Sequence, residues 1–333
     1  MQQSIVKLLL FYGMAVFYGI LVVFNLFIRM IKNPLKAIQS KERNIPPKCL
    51  SHPEVGTHSY ITVNSVKIHY VEAGDRSKPM MLFVHGFPEF WYSWRHQIKE
   101  FSKDYWCVAL DMKGYGDSDK PKGTTPYGLL TLVEDLRQFI EKIDHNGCIL
   151  VGHDWGGAVC WVLLDNYPHL VDKYIIMNAP HYKVYGKLYA TNDTQRRMAW
   201  YVNFFQLPYL PELSLRFGDF EFFDTLFRQF GTPEDVEAYK YTFSQPGALT
   251  SPLNYYRNIP FNKIEKQPVL NDSHPQGLFL FGSDDMYIVK DSVQMTATVV
   301  PNLTTKLVDN VGHFIHQEIP NEVNEIMRTF LKE

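Results

Sequence analysis

The run Cys148 to Gly157 reads CILVGHDWGG. A β-rich apolar stretch ends in Gly-His-Asp-Trp-Gly, and a helical pattern starts there. This is the strand–turn–helix setting of the nucleophile elbow, G-x-S-x-G, with Asp154 where the serine would stand. Gly152 and Gly156 suit a turn with no room for side chains. An aspartate at that position also serves as a helix N-cap, a role that needs no chemistry. The exchange of Asp for Ser is informative. Serine suits attack on a carbonyl, giving an ester that water cleaves. On a saturated carbon it would give an ether, which goes no further. A carboxylate attacking a saturated carbon leaves an ester whose carbonyl belongs to the enzyme, and water can attack it. The elbow therefore points to displacement at an alkyl carbon.

Epoxides and alkyl halides are the substrates such chemistry suits. The second step needs a base for water. His313, in VGHF near the end of the chain, follows the last expected strand, and imidazole titrates near neutrality. It needs a carboxylate to fix its tautomer. Asp285, in LFLFGSDDMYIV, follows the strand ending at Phe281, and the adjacent Asp284 competes with it. An acid after the previous strand is disfavoured, since that position offers Asn178. The order Asp154, Asp285, His313 is nucleophile, acid, histidine, the order of α/β-hydrolases. His313 alone would read as a surface or cap histidine, and His316 lies nearby. An oxyanion must form when water attacks the ester. Its expected donors are the backbone N–H of Trp155, after the nucleophile, and that of Phe87 in the loop His85-Gly86-Phe87-Pro88-Glu89. His85 and Pro88 are read as shaping that loop, and Glu89 has no assigned task.

These groups need a sheet to carry them. Tyr60 to Val63 and Val66 to Val71 flank Asn64-Ser65 and suggest a hairpin. Met80 to Val84, Trp106 to Leu110, Cys148 to Val151, Tyr174 to Met177 and Leu278 to Phe281 read as buried strands, and Lys306 to Val308 as a weaker one. Helical patterns lie between them, at Leu129 to Ile143 and Gly156 to Tyr167. This alternation predicts an α/β fold, a mostly parallel sheet with helices on both faces. From about His181 to Asn258 there are helical patterns and aromatic clusters but no strand. That insertion is expected to form a helical cap over the carboxyl ends of the strands, where open α/β sheets bind ligands.

The first residues differ in kind. Leu8 to Ile28 is 21 residues without a charge, enough to cross a bilayer as a helix. No cleavage pattern follows it. Lys7 precedes the stretch. Arg29, Lys32, Lys36, Lys41 and Arg43 follow it, which by the positive-inside rule places the bulk of the chain in the cytoplasm. Sequons at Asn192, Asn271 and Asn302 would matter only in a lumen, so a luminal orientation stays open. The expected division is an N-terminal transmembrane anchor over 1–31, a tether over 32–58, a core over 59–180 and 259–333, and the cap over 181–258. The whole chain carries 33 basic and 35 acidic residues, a balance that argues against nucleic acid as a partner. Its four cysteines show no CxxC spacing, which argues against a structural zinc site.

Together these residues resemble the α/β-hydrolase-fold epoxide hydrolases, of the membrane-anchored type. The resemblance runs over Ser59 to Glu333. It rests on HGFPEFWYSWRHQ (His85 to Gln97), DMKGYGDSDKP (Asp111 to Pro121), VGHDWGG (Val151 to Gly157), NAPH (Asn178 to His181) and the triad. It implies two cap tyrosines that donate hydrogen bonds to the epoxide oxygen. By motif these are Tyr256, in NYYRN, and Tyr201, in AWYVNFFQLP, with Tyr255 the nearest rival. The implied reaction turns a lipophilic epoxide into a vicinal diol with water and needs no cofactor or metal. The anchor, residues 8–28, would sit in a lipid membrane, the endoplasmic reticulum above all. A haloalkane or haloacid dehalogenase would share the nucleophile but would need halide-binding groups, often an Asn where this chain has Phe87. A membrane-tethered binding protein on the same fold would be expected to lack triad members.

Overall fold

The computed structural model describes residues 2–143, 147–261 and 274–332. Its strands are β1 (Thr57–Val63), β2 (Val66–Ala73), β3 (Met80–Val84), β4 (Trp106–Leu110), β5 (Cys148–His153), β6 (Val171–Met177), β7 (Gln276–Gly282) and β8 (Leu303–Val308). They form one sheet in the order β1-β2-β4-β3-β5-β6-β7-β8. β1, β2 and β4 pair antiparallel, and every other pairing is parallel. The β1–β2 hairpin closes with Val63 opposite Val66. Asn64 and Ser65 both take positive φ there, 46° and 62°, as a two-residue hairpin turn requires. β3, β4 and β5 are buried along their whole length, the pattern of strands covered on both faces.

The helices are α1 (Gln2–Lys32), α2 (Pro34–Ala37), α3 (Arg95–Phe101), α4 (Leu129–Ile143), α5 (Trp155–Asn166), α6 (Tyr182–Thr191), α7 (Asp193–Met198), α8 (Trp200–Phe204), α9 (Leu210–Leu226), α10 (Pro233–Ser244), α11 (Thr250–Arg257), α12 (Asp291–Ala297), α13 (Ile315–Glu318) and α14 (Pro320–Lys332). α4 packs on α5, and α3 on α14. β3 and β5 are neighbours, and the connections that follow them run to opposite sides, to β4 and to β6. A crevice opens over the carboxyl ends of β3 and β5 at that switch point. Helices α6 to α11 all fall between β6 and β7, with no strand among the described residues of that insertion.

α1 is long and apolar enough to cross a membrane, and little of it is buried. One stripe of it, including Phe11, Ala15, Tyr18, Gly19 and Val22, packs against the cap at α8. Asn203 Nδ2 donates to the Phe11 carbonyl (3.3 Å), and Tyr18 meets the Trp200 ring at 5.7 Å. The segment expected as a tether is laid against the domain by its own polar groups. Arg43 makes two 2.7 Å bonds to Asp219 and also reaches Glu237, and the Cys49 N–H donates to Glu234. The sequon at Asn271 lies outside the described residues.

Candidate active site

Asp154 stands between β5 and α5 with φ 49° and ψ −120°. For a residue with a side chain this left-handed-side conformation is strained, and strain of this kind clusters at functional sites. It holds because the surrounding glycines let the backbones close in. A Cβ on Gly156 would lie 2.1 Å from the Val84 carbonyl oxygen, and one on Gly86 2.4 Å from the Asp154 Cβ. Gly156→Ala must therefore push α5 off the end of β3. We expect it to lower stability by about 1–3 kcal/mol, as overpacking does, read as a fall in thermal midpoint.

His313 follows β8 and turns its ring into the crevice. Its Nε2 lies 3.5 Å from Asp154 Oδ2, and its Nδ1 donates to Asp285 Oδ2 at 2.7 Å. Asp285 is buried, and its other oxygen accepts from the N–H groups of Tyr287 (2.7 Å) and Ile288 (3.0 Å). Asn178 Nδ2 donates to Asp285 Oδ2 at 2.8 Å. The rival Asp284 is exposed and takes its bond from the neighbouring Ser283 hydroxyl. Asn178, set aside in the sequence because it is not an acid, instead orients the acid.

Electrostatics in this buried row are strong. Burial disfavours the His313 imidazolium, but the Asp285 and Asp154 carboxylates outweigh it and raise its pKa to about 10. Burial pushes the Asp154 carboxyl up, but hydrogen bonding and charge from His313 reverse this and hold it below the ordinary value. The resting pair is thus carboxylate and imidazolium. Replacing Asp154 by Asn removes one of the two carboxylates. The His313 pKa is then expected to fall, so that the ring loses its proton at lower pH than in the parent. An NMR titration of the imidazole reads this shift.

The loop expected to supply an oxyanion donor is closed onto Asp154. The Phe87 N–H donates to Asp154 Oδ1 at 2.8 Å, and Trp155 begins α5, where first-turn N–H groups have no helical acceptor. Glu89 is buried in this loop. It accepts from the Gly86 N–H (2.9 Å), from Gln317 Nε2 (2.9 Å) and from His153 Nδ1 (2.7 Å). His153 bonds onward to the His313 carbonyl at 2.9 Å. A residue without an assigned task in the sequence thus links the loop to the backbone of the base. His316 lies 3.2 Å from Glu89 and against Trp94, away from Asp154, and burial lowers its pKa to about 4. Glu89, His153 and His316 come close enough for a metal ion, but Glu89 is already occupied by the three bonds above. His85 shapes the loop: its Nδ1–H donates to the Gly86 carbonyl and its Nε2 accepts from the Met112 N–H.

Asp154 faces a cavity of about 290 Å³ between core and cap, lined also by Trp155, Tyr185, Tyr201, Val202 and Tyr256. Tyr201 comes from α8 and Tyr256 from α11, and their rings meet edge to face at 5.8 Å. Burial, together with the Asp154 charge, raises both phenol pKa values well above the ordinary one, so both hydroxyls stay protonated. Tyr255 points away, and its hydroxyl donates to the Lys113 carbonyl at 2.6 Å. Tyr287, unremarked in the sequence, packs edge-on against His313 (4.9 Å) and Tyr201 (5.6 Å). A second, open cleft reaches His313 past Phe230, Tyr287 and Phe314.

This geometry has known counterparts. Residues 79–319 match the alpha/beta hydrolase fold family. Epoxide hydrolase 4 of Homo sapiens is 38% identical over 315 residues, covering 91% of this chain and 86% of its own length. Epoxide hydrolase 1 of Caenorhabditis elegans is 37% identical, covering 99% of this chain and 82% of its own. Among solved structures, a mutant epoxide hydrolase from Bacillus megaterium, complexed with its product (R)-3-[1]naphthyloxy-propane-1,2-diol, superposes with a TM-score of 0.76. It is 33% identical and matches 83% of this chain and 100% of its own. Fold, triad order and relatives agree, and the chain belongs to the epoxide hydrolase family of α/β hydrolases.

Proposed function

We propose that the protein opens lipophilic epoxides to vicinal diols through an ester on Asp154. The observation that carries this reading is the buried row Asp285–His313–Asp154 facing a cavity shared with two protonated cap tyrosines. Asp154 Oδ2 attacks an epoxide carbon while Tyr201 and Tyr256 donate to the ring oxygen. The C–O bond breaks, and the departing oxygen takes a proton from a phenol. A phenol suits this because it is a far stronger acid than water yet stays protonated until it is needed. Esterification removes the Asp154 charge and weakens the hold of His313 on its proton, which passes to the phenolate and restores the phenol. Once neutral, His313 is the base that takes a proton from water, with Asp285 fixing its orientation. The hydroxide adds to the ester carbonyl, and the N–H groups of Phe87 and Trp155 hold the oxyanion. Collapse breaks the carbonyl–Oδ2 bond, His313 returns its proton to the leaving oxygen, the new Asp154 carboxylic acid gives its proton to His313 to restore the resting pair, and the diol departs. A dehalogenase reading is less well supported, because Phe87 stands where a halide-binding Asn is expected and two tyrosines face the nucleophile.

The mostly apolar cavity wall and the apolar α1 favour lipid or fatty-acid epoxides. In this reading residues 8–28 hold the enzyme at a membrane, and the basic residues after them favour the cytoplasmic side. The test is a single turnover in heavy-oxygen water with enzyme in excess over the epoxide. The peptide holding Asp154 should gain one heavy oxygen and the diol none. Label appearing first in the diol, or normal turnover by Asp154→Ala, would reject the ester route. A panel of lipid epoxides of which none gives a diol would reject the substrate class.

A further inference from the structure

α1 touches the cap along nearly its full apolar length. The contact stripe repeats at helical spacing from Phe11 through Ala15, Tyr18, Gly19 and Val22, and ends at Arg29, which pairs with Glu221. At 1.5 Å per residue, Phe11 to Arg29 is about 27 Å of helix, close to the thickness of a hydrocarbon core. Three further contacts fix the helix lengthwise. Asn203 Nδ2 holds the Phe11 carbonyl, a Cβ on Gly19 would lie 2.5 Å from Leu207, and Lys36 also pairs with Glu221. The cap is therefore level with the helix from Phe11 to Arg29, not below one end of it.

An upright α1 with these contacts would place the flank of the cap at hydrocarbon depth. α7, which packs on the α8 that α1 touches, carries the exposed Asp193–Arg196 pair, and charge brought inside a bilayer is costly. Laid flat, the same body is amphipathic as a whole. α1 has no polar face of its own, but the cap supplies one behind it. The outward side of α1 exposes Leu9, Val16, Ile20, Phe24 and Phe27, and the apolar surface continues onto the cap at Leu207 and Leu210, which line one groove with Val16, Ile20, Phe24 and Phe27. Exposed apolar area this continuous is not ordinary solvent-facing surface. Arg29, Lys32 and Lys36 sit at its edge, where anionic headgroups would meet them.

We infer that α1 does not cross the bilayer but lies within one leaflet, with the adjoining cap surface seated on the same lipid. This rests on the reading of residues 8–28 as membrane-inserted and replaces only its geometry. One consequence concerns access: α8, which carries Tyr201 into the cavity, is the helix on which α1 rests.

The test uses the full chain with Cys49→Ser, leaving the buried Cys107, Cys148 and Cys160, and adds Gln3→Cys together with Ser40→Cys. The protein is reconstituted into sealed vesicles of phosphatidylcholine and phosphatidylserine and treated with a membrane-impermeant maleimide. Vesicles opened with detergent report full labelling at both sites. In intact vesicles each molecule should carry two labels or none, whichever way it is inserted, as intact mass will show. Molecules carrying one label would place the two ends on opposite sides and overturn the inference while leaving the membrane reading intact. Protein that does not float with the vesicles would overturn both.

Discussion

Incubated with excess lipophilic epoxide, the His313→Gln variant is expected to gain the mass of one substrate molecule on Asp154 and to stop there. The reason is a division of labour visible in the distances. Attack on the epoxide needs the Asp154 carboxylate, whose Oδ1 is held by the Phe87 N–H and whose Oδ2 is 3.5 Å from His313. The Phe87 N–H still holds Oδ1 in the variant, although without the His313 charge burial pushes the Asp154 carboxyl upward and ester formation slows as well. Hydrolysis of the ester depends on the imidazole itself, because no other base touches Asp154 among the described residues. Loss of a positioned general base slows its step by about 10²- to 10⁴-fold. The ester should therefore accumulate to one equivalent, with a burst of epoxide loss and little diol. Asp154→Ala, by contrast, should show neither burst nor adduct and should lose about 10⁴-fold or more in turnover, as removal of a nucleophile does. Intact-protein mass spectrometry with diol quantification separates the two. Full diol production by His313→Gln would remove the histidine from the mechanism.

The second large effect falls on ring opening. Tyr201→Phe and Tyr256→Phe each delete one donor and leave the ring that packs the cavity. Each is expected to slow ester formation by about 10²-fold, within the usual range for a positioned acid. The pair together should approach about 10⁴-fold, because both assigned donors are then gone. Tyr255→Phe is the control: its hydroxyl serves the Lys113 carbonyl, so ester formation should stay near the parent rate. Stopped-flow measurement of the alkylation step, not steady-state turnover, is the right observable. A loss for Tyr255→Phe with a near-parent rate for Tyr256→Phe would mean that the two have been assigned the wrong way round.

Much of this site is legible in the sequence because it is written locally. The elbow is five consecutive residues, and its strand and helix flank it directly. The triad is fixed by chain order along strands that read as unbroken apolar runs. The hairpin turn at Asn64-Ser65 is local as well. What the sequence hides are partnerships over long separations. Glu89 is plainly visible in its loop, yet the groups that explain it, His153 and Gln317, lie 64 and 228 residues further along. Asn178 looks like a vacant acid position until Asp285, 107 residues on, is brought to its amide. The segment after α1 reads as a tether by composition, because nothing in its own residues announces that Arg43 will meet Asp219, 176 residues away. Local rules set strands, turns and the nucleophile. The orientation of the acid and the bracing of the loop and of α1 come from the assembled fold.

The closed loop has one more consequence. Because Oδ1 is bound by the Phe87 N–H and Oδ2 faces His313, the two oxygens of the Asp154 carboxylate are chemically distinct. On the proposed ester route, the oxygen passed to each diol is expected to be the one on the histidine side, with the oxygen drawn from water taking its place. The enzyme would then keep a memory of its last solvent. Moved from ordinary to heavy-oxygen water, it should release one unlabelled diol per molecule and only labelled diol afterwards, provided the carboxylate does not rotate between turnovers. A slow drift toward labelling over several turnovers would instead measure how often that rotation occurs.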